Sequence, residues 1–269
     1  MAVFTIDAGA VRLTRVGYAD VDLAPETFGL TLEDVTSLPW AEPVWADAGQ
    51  VRAAAAAWII ESEGARIVVD PALAADDILR NDNDAATHQD AFASLLADAG
   101  FPRESITHAI ATHCDGIGML AWRNGDGSWS PFFPHAPILV SQRELDAIDG
   151  GQHLDPGVIL GELRALGAVQ ATADREQITR DVSVELTGAH TQGHQLVRIE
   201  SEGERAVIVG HLAVVPIHLA TGVCPTQHLD ADRAWAILSA IRDEGGLLIG
   251  PLWPSPGAGR WDGTQLVPA

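Results

Sequence analysis

Residues 111–120, ATHCDGIGML, form the stretch that decides the fold of this chain. They follow an apolar run, Ile106 to Ala111, of the kind that forms a buried strand. Thr112 and His113 come directly after this run, where the strand passes into a loop. Histidine is a common metal ligand, and α/β folds usually place their sites at the carboxyl ends of strands. This corner is therefore the first candidate for a functional site.

The composition places the chain among globular proteins. It has 269 residues, of which 47% are apolar, enough to bury a large core in one domain. Acidic residues outnumber basic ones 37 to 16, which gives a formal net charge of −21. This charge repels phosphate backbones and anionic lipid head groups. Nucleic acid and membrane surfaces are therefore not expected partners.

The sequence predicts neither a membrane span nor a secretory signal. No stretch of about twenty residues is free of charges, and the start, MAVFTIDAGAVRL, lacks a basic region followed by an apolar one. Cys114 and Cys224 are too few for a disulfide framework and lack the CxxC pairing of a zinc knuckle. We therefore expect a cytoplasmic protein with buried free thiols.

The apolar pattern predicts two similar halves, each containing strands and then helices. A hairpin is predicted around Glu63 and Gly64, with its second strand ending at Asp70. Further strands are predicted at 106–112, 136–141, 182–187, 195–201, 205–210 and 246–250, and helices at 88–100, 142–148, 157–166 and 230–245. Hairpin strands followed by helices in both halves predict an α/β fold, a four-layer αββα sandwich.

The first fifty residues carry no long periodic pattern. Trp40 and Trp45 lie among prolines in LPWAEPVW (38–45), which favours an irregular arm packed by aromatic side chains. Arms of this kind often cover a neighbouring subunit, and no linker is long enough to separate independent domains. The prediction is a single domain over 1–269, with an N-terminal arm, about residues 1–50, at an interface.

Four segments fall in the order and roughly the spacing of the metallo-β-lactamase superfamily: ATHCDGIGML (111–120), TGAHTQGH (187–194), VGHLAVVPIHL (209–219) and LIGPLWPSPGAGRW (248–261). The chain resembles the branch of quorum-quenching lactonase-like hydrolases, because DGSWSPFFPHAPILVSQRE (126–144) is similar to the stretch after that branch's metal loop. The resemblance covers nearly the whole chain and implies the four-layer sandwich. It also implies hydrolytic chemistry, in which two zinc-type ions activate a water that attacks an ester, lactam, lactone or phosphoester.

Several positions that hold metal ligands in that family hold other residues here. The family loop reads Thr-His-x-His-x-Asp-His-x-Gly, and His113 matches its first histidine. Aligned without a gap, Asp115 replaces the second histidine, Ile117 the aspartate and Gly118 the third histidine. If two residues are deleted, Asp115 is the family's aspartate and Gly116 replaces the third histidine. We prefer the second alignment, because it keeps Asp115 and Gly118 in family positions.

His190 matches the next ligand of the family, whereas two later positions differ. His211 stands where the family has a bridging aspartate, and an imidazole cannot readily bridge two cations as a carboxylate does. Leu252 stands where the terminal histidine belongs. The resemblance implies a remnant catalytic site of His113, Asp115, His190 and His211, with ligands for one zinc ion at most. We expect no cofactor, the alternative being that single zinc.

Other residues near this remnant site have less specific assignments. Asp70 either supports a metal ligand by hydrogen bonding, as a strand-end aspartate does in the family, or caps the following turn. Trp122, Phe132 and Trp253 are expected to line an apolar substrate pocket, although aromatic clusters are more often core. Histidines expected outside the site are His194, in a turn, and His218 and His228, at the surface or an interface.

Three functions follow from these residues and from the resemblance. In the first, which we favour, the chain is a metal-poor supporting subunit that pairs with an intact paralogous chain. This hetero-oligomeric hydrolase acts on a small-molecule ester, lactone or aryl ether, without two-zinc catalysis by this chain itself. The second is an autonomous hydrolase that uses one metal ion or none, with a histidine as general base. The third is a small-molecule binder without turnover.

Overall fold

A computed structural model describes residues 3–71, 82–114, 119–152 and 154–269. Its strands are β1 (Val3–Ala8), β2 (Val11–Leu23), β3 (Ala46–Asp47), β4 (Gln50–Ser62), β5 (Ala65–Val69), β6 (His108–Ile110), β7 (Ala121–Arg123), β8 (Trp129–Pro131), β9 (Ile138–Ser141), β10 (Val169–Thr172), β11 (Arg175–Gln177), β12 (Val182–Leu186), β13 (Gln195–Ser201), β14 (Glu204–Ile208), β15 (Leu247–Ile249), β16 (Ala258–Trp261) and β17 (Leu266–Pro268). Its α-helices are α1 (Leu32–Thr36), α2 (Asp82–Asp98), α3 (Gln142–Asp149), α4 (Leu154–Ala165), α5 (His218–Thr221) and α6 (Ala231–Glu244). Within the described ranges, no helix combines the length and the apolar character needed to cross a membrane.

The first sheet has eight strands in the order β1-β2-β4-β5-β6-β9-β10, with β3 paired to β4. The predicted hairpin is confirmed, because β4 and β5 pair antiparallel across Glu63 and Gly64. Both turn residues have positive φ, as a tight two-residue hairpin turn requires. From β5 onward the strands pair in parallel. The carboxyl ends of β5 and β6 therefore lie at the same edge of the sheet.

The second sheet has seven strands that follow chain order from β11 to β17. Neighbouring strands pair antiparallel except β14 and β15, which pair in parallel and are connected through α6. A β7–β8 hairpin lies apart from both sheets.

Three clusters of buried side chains define four layers. Ile60 of β4 packs with Val184 of β12 between the two sheets. The neighbouring Ile59 faces the opposite way, toward α2 and α4. Leu248 of β15 packs toward α6 on the outer face of the second sheet. Because strands such as β4 are buried on both faces, they have continuous apolar runs in sequence. The predicted α/β four-layer sandwich is confirmed.

The first fifty residues differ from the irregular arm that the sequence indicated. β1 and β2 belong to the first sheet, and β2 pairs with β4 along most of its length. Trp45 is fully buried in the core behind the second sheet. The prediction of irregular structure is wrong for these strands. β1 and β2 form a hairpin, and β2 pairs in turn with β4 of a separate segment, a non-local pairing that leaves no local signal. Contact of this segment with another subunit stays a prediction.

Candidate metal centre

Three histidines meet at one edge of the two sheets. His113 follows β6, His190 lies between β12 and β13, and His211 lies in a 3-10 turn after β14. The ring centroids are 4.8 Å apart for His113 and His190, 5.1 Å for His190 and His211, and 4.3 Å for His113 and His211. One potential ligand nitrogen from each ring lies within 4.8 Å of those of the other two. The structure therefore brings together three of the four predicted ligands.

The fourth predicted ligand, Asp115, lies outside the described residues. Gly116, Ile117 and Gly118 do so as well. The choice between the two alignments of this loop therefore stays a prediction.

The spacing of the three imidazoles fits a single metal ion. Imidazole nitrogens bind zinc at about 2.0–2.1 Å, and a tetrahedral arrangement then places two ring centroids about 5 Å apart. The observed separations of 4.3 to 5.1 Å are close to this value. A two-ion centre fits less well, because this group of described residues contains no carboxylate. Leu252, which the sequence analysis aligned with the family's terminal histidine, packs against the core behind the second sheet.

A buried chain of hydrogen bonds orients His113. Asp70 accepts the backbone N–H of Thr112 at 2.8 Å and its hydroxyl at 2.5 Å. Because this hydroxyl donates to Asp70, its oxygen can accept Nδ1–H of His113 at 3.1 Å. A metal ion would then be bound through Nε2 of His113. Burial raises the pKa of Asp70 to about 6, although the two hydrogen bonds from Thr112 act to lower it.

His194 belongs to the same cluster but has both ring nitrogens in hydrogen bonds. Its Nε2 accepts the backbone N–H of His211 at 3.1 Å, so Nδ1 carries the proton and donates to Thr187 Oγ1 at 2.7 Å. Burial, followed by the neighbouring imidazoles, lowers the pKa of His194 well below its usual range and keeps the ring neutral. His194 therefore fixes the turn of His211 and is not a ligand.

Gly210 allows this turn to pack closely. Its φ is +55°, and a Cβ atom there would lie 2.6 Å from Nε2 of His194 and 3.0 Å from Oγ1 of Thr112. Any side chain at this position would push the turn away from both residues. The turn that carries His211 is thus held directly against the residues that orient His113.

His228, which the sequence analysis expected at the surface or an interface, is partly buried and is a neighbour of the centre. Its ring centroid lies 5.2 Å from that of His190, and the backbone N–H of Leu229 donates to the carbonyl of His190 at 3.0 Å. Both ring nitrogens of His228 are buried without a hydrogen-bond partner in the described part of the chain. His218 is fully buried, and its Nε2 donates to the carbonyl of Phe28 at 3.0 Å. The expected surface or interface position is therefore wrong for His218.

The aromatic residues expected to line one pocket are separated in the core. Phe132 and Trp253 are fully buried and belong to the clusters behind the first and the second sheet, respectively. Trp122 packs on Phe132 at 5.5 Å and lies under the guanidinium of Arg103 at 4.0 Å. The expectation of one shared aromatic pocket is corrected, because each sheet buries its own aromatic residues.

Acid is expected to destabilise the metal-free chain between about pH 6.5 and pH 4. Burial lowers the pKa of both His211 and His228 to about 4. At these two histidines the unfolded chain binds more protons in this window, so the free energy of unfolding falls as the pH decreases. The raised pKa of the single Asp70 contributes in the opposite direction and offsets only part of this effect. Urea unfolding at several pH values measures the slope of the free energy of unfolding against pH. His228→Gln should give a shallower slope than the wild type and the exposed-site control His135→Gln, and three equal slopes would contradict the expectation.

Solved structures of hydrolases share this architecture. The chain aligns with AidC, a dizinc quorum-quenching lactonase in complex with a product, with a TM-score of 0.74 and 16% identity over 99% of this chain and 97% of that one. The hydrolase AbOPH, of the β-lactamase superfamily, aligns with a TM-score of 0.74 and 17% identity over 99% and 97%. A probable metal-dependent hydrolase from Staphylococcus aureus aligns with a TM-score of 0.73 and 13% identity over 98% and 97%.

No family model and no curated protein matches the sequence. The structural likeness nevertheless extends over nearly the whole of each chain. At identities of 13 to 17% this likeness carries the architecture alone. The chain therefore has the metallo-β-lactamase fold.

Proposed function

We propose that this chain is a hydrolase subunit with a one-ion centre formed by His113, His190 and His211. In this proposal it works beside a paralogous chain that carries a complete two-metal set, and the substrate is a small-molecule ester, lactone or aryl ether. The observation that carries the proposal is the composition of the cluster, three imidazoles close enough to share one ion, with no carboxylate among the described members of the group.

Some metal-ligand positions are exchanged whereas the residues around them keep their hydrogen bonds, and this contrast supports a subunit role. His211 and Leu252 stand at positions where the family has a bridging aspartate and a terminal histidine, so binuclear binding is not expected. The buried bonds of Asp70 and Thr112 are nevertheless made. A chain that keeps the scaffold of the site but lacks ligands for a second ion is well suited to shape or stabilise a partner's site.

The substrate class rests on the fold and on the chemistry of the cluster. When bound, a divalent ion supplies Lewis acidity, which polarises a carbonyl and increases the acidity of water. Asp70 and Thr112 hold the proton of His113 on Nδ1, and His194 holds the turn of His211. AidC is a lactonase, and AbOPH a hydrolase. The lactonase chemistry of AidC favours a C–O bond as the target here.

Autonomous hydrolysis is the second candidate. It is favoured by the spacing of the three imidazoles, since the ligand atoms are already close together within a single chain. Three histidines with one open position are a known arrangement of catalytic zinc sites. In this case the chain needs no paralogue for turnover.

Purification of the tagged chain from its own cells, and separately after expression alone, distinguishes the two candidates. Each preparation is assayed with 4-nitrophenyl acetate, N-hexanoyl-homoserine lactone and 4-nitroanisole. We expect a stoichiometric partner whose sequence contains the complete Thr-His-x-His-x-Asp-His motif, and turnover only in the complex. Turnover by the monomeric chain alone would contradict the subunit role and support the second candidate. Binding of a probe without turnover in both preparations would reject both and identify a binding protein.

A further inference from the structure

Glu144 lies at the start of α3 and bonds to two loops of the candidate centre. Its side chain is fully buried. Oε1 accepts the backbone N–H of Cys114 at 2.9 Å, and Oε2 accepts the hydroxyl of Thr191 and the backbone N–H of Gly193, both at 2.8 Å. Three donors on one carboxylate satisfy a buried anion without a cation.

The partners of Glu144 adjoin two of the three histidines. Cys114 follows His113 directly, and Thr191 follows His190 directly. These loops are far apart in sequence and belong to different sheets, since one follows β6 and the other β12. The carboxylate is therefore a cross-link between the sheets at the point where the histidines meet.

The start of α3 is a rigid base for this cross-link. Ser141 caps the helix by accepting the backbone N–H of Glu144 at 3.1 Å, and its hydroxyl donates to the carbonyl of Gly193 at 2.6 Å. A Cβ atom on Gly193 would lie 2.2 Å from the backbone nitrogen of Glu144. The loop of His190 thus lies directly on the helix start, and there is no space for the loop to shift toward it.

The negative charge of Glu144 is a second way in which this residue can affect the candidate metal centre. Neither Glu144 nor Asp70 forms an ion pair with any residue in the described ranges, and both are buried. Each bonds to a residue of the His113 loop, Glu144 to Cys114 and Asp70 to Thr112. In a poorly solvated site, such anions stabilise a nearby cation.

We propose that Glu144 is a positioning residue that holds His113 and His190 at metal-binding distance and compensates the charge of the ion. The inference rests on the one-ion centre proposed above. Glu144 does not touch the ion; it acts through the two loops. Its loss should therefore weaken metal binding more than it weakens the fold.

Zinc affinity of Glu144→Gln, measured by competition with a chromophoric chelator, tests this role. Glutamine has the same shape as glutamate, but only its amide oxygen can accept a hydrogen bond. Its NH2 group would face a backbone or hydroxyl group that is itself a donor. We expect zinc affinity to fall about 10- to 100-fold. Cobalt(II) absorption should change as well, since it reports ligand geometry, a readout that a merely structural role would not alter.

Glu162→Gln is the matched control. Oε2 of Glu162 accepts the backbone N–H of Trp129 at 2.8 Å, and this bond does not involve the three histidines. This variant should keep wild-type affinity. Thr191→Val, which removes one bond to Glu144, should lower the affinity by a smaller factor and provides the test if Glu144→Gln does not fold.

Wild-type affinity and an unchanged cobalt spectrum in folded Glu144→Gln, or in Thr191→Val, would overturn the positioning role while leaving the one-ion centre intact. A wild-type chain that binds no zinc would overturn both the positioning role and the centre itself.

Discussion

Replacing His190 by alanine is expected to lower the zinc affinity of the chain about 100-fold or more. Four-ligand structural zinc sites bind the ion with a free energy of about 10–16 kcal/mol, so each ligand contributes roughly 3 kcal/mol of binding free energy. His190 is one of only three imidazoles in the described group, and its ring contacts those of both His113 and His211. Chelator competition on the purified chain measures the loss.

His135→Ala is the control for this prediction, because His135 is exposed. It should bind zinc as the wild type does. An affinity in His190→Ala equal to that of the control would place the ion elsewhere and contradict the three-histidine centre.

Replacing Trp253 by alanine is expected to lower the free energy of unfolding by about 3–5 kcal/mol. The indole is fully buried, its Nε1 donates to the carbonyl of Ala213 at 2.9 Å, and its ring meets Trp45 edge-on at 6.1 Å. Truncation leaves a large cavity and an unpaired buried carbonyl. Urea or thermal unfolding, followed by circular dichroism, measures the change.

Trp122→Ala is the comparison variant, because its indole is only partly buried. It should lose less stability than Trp253→Ala. Unchanged stability in Trp253→Ala would contradict this account of the buried indole.

The fold could be predicted from particular strands. β4, β5 and β15 have continuous apolar runs, because their alternate residues face an interlayer core and a helix layer. β2 could not be predicted in the same way. Its stabilisation comes from pairing with β4, and half of its side chains are polar or exposed. Non-local pairing of this kind leaves no period in the sequence.

The candidate site was predictable only where a family position could be matched. His113, His190 and His211 followed from such positions, and the structure brings them together. Glu144 and His228 did not, since their roles come from contacts between distant segments. A faint signal for Glu144 exists, because Ser141 followed three residues later by a glutamate is a helix-start pattern. That pattern predicts a cap and says nothing of the two loops.

The number of zinc ions per chain tests the central claim, that three histidines form a one-ion centre, most directly. The chain is loaded with excess zinc, freed of unbound ion by gel filtration and analysed by inductively coupled plasma mass spectrometry. A single ion per chain in the wild type, lost in His190→Ala, is the expected result. Two ions per chain, or none, would contradict the account.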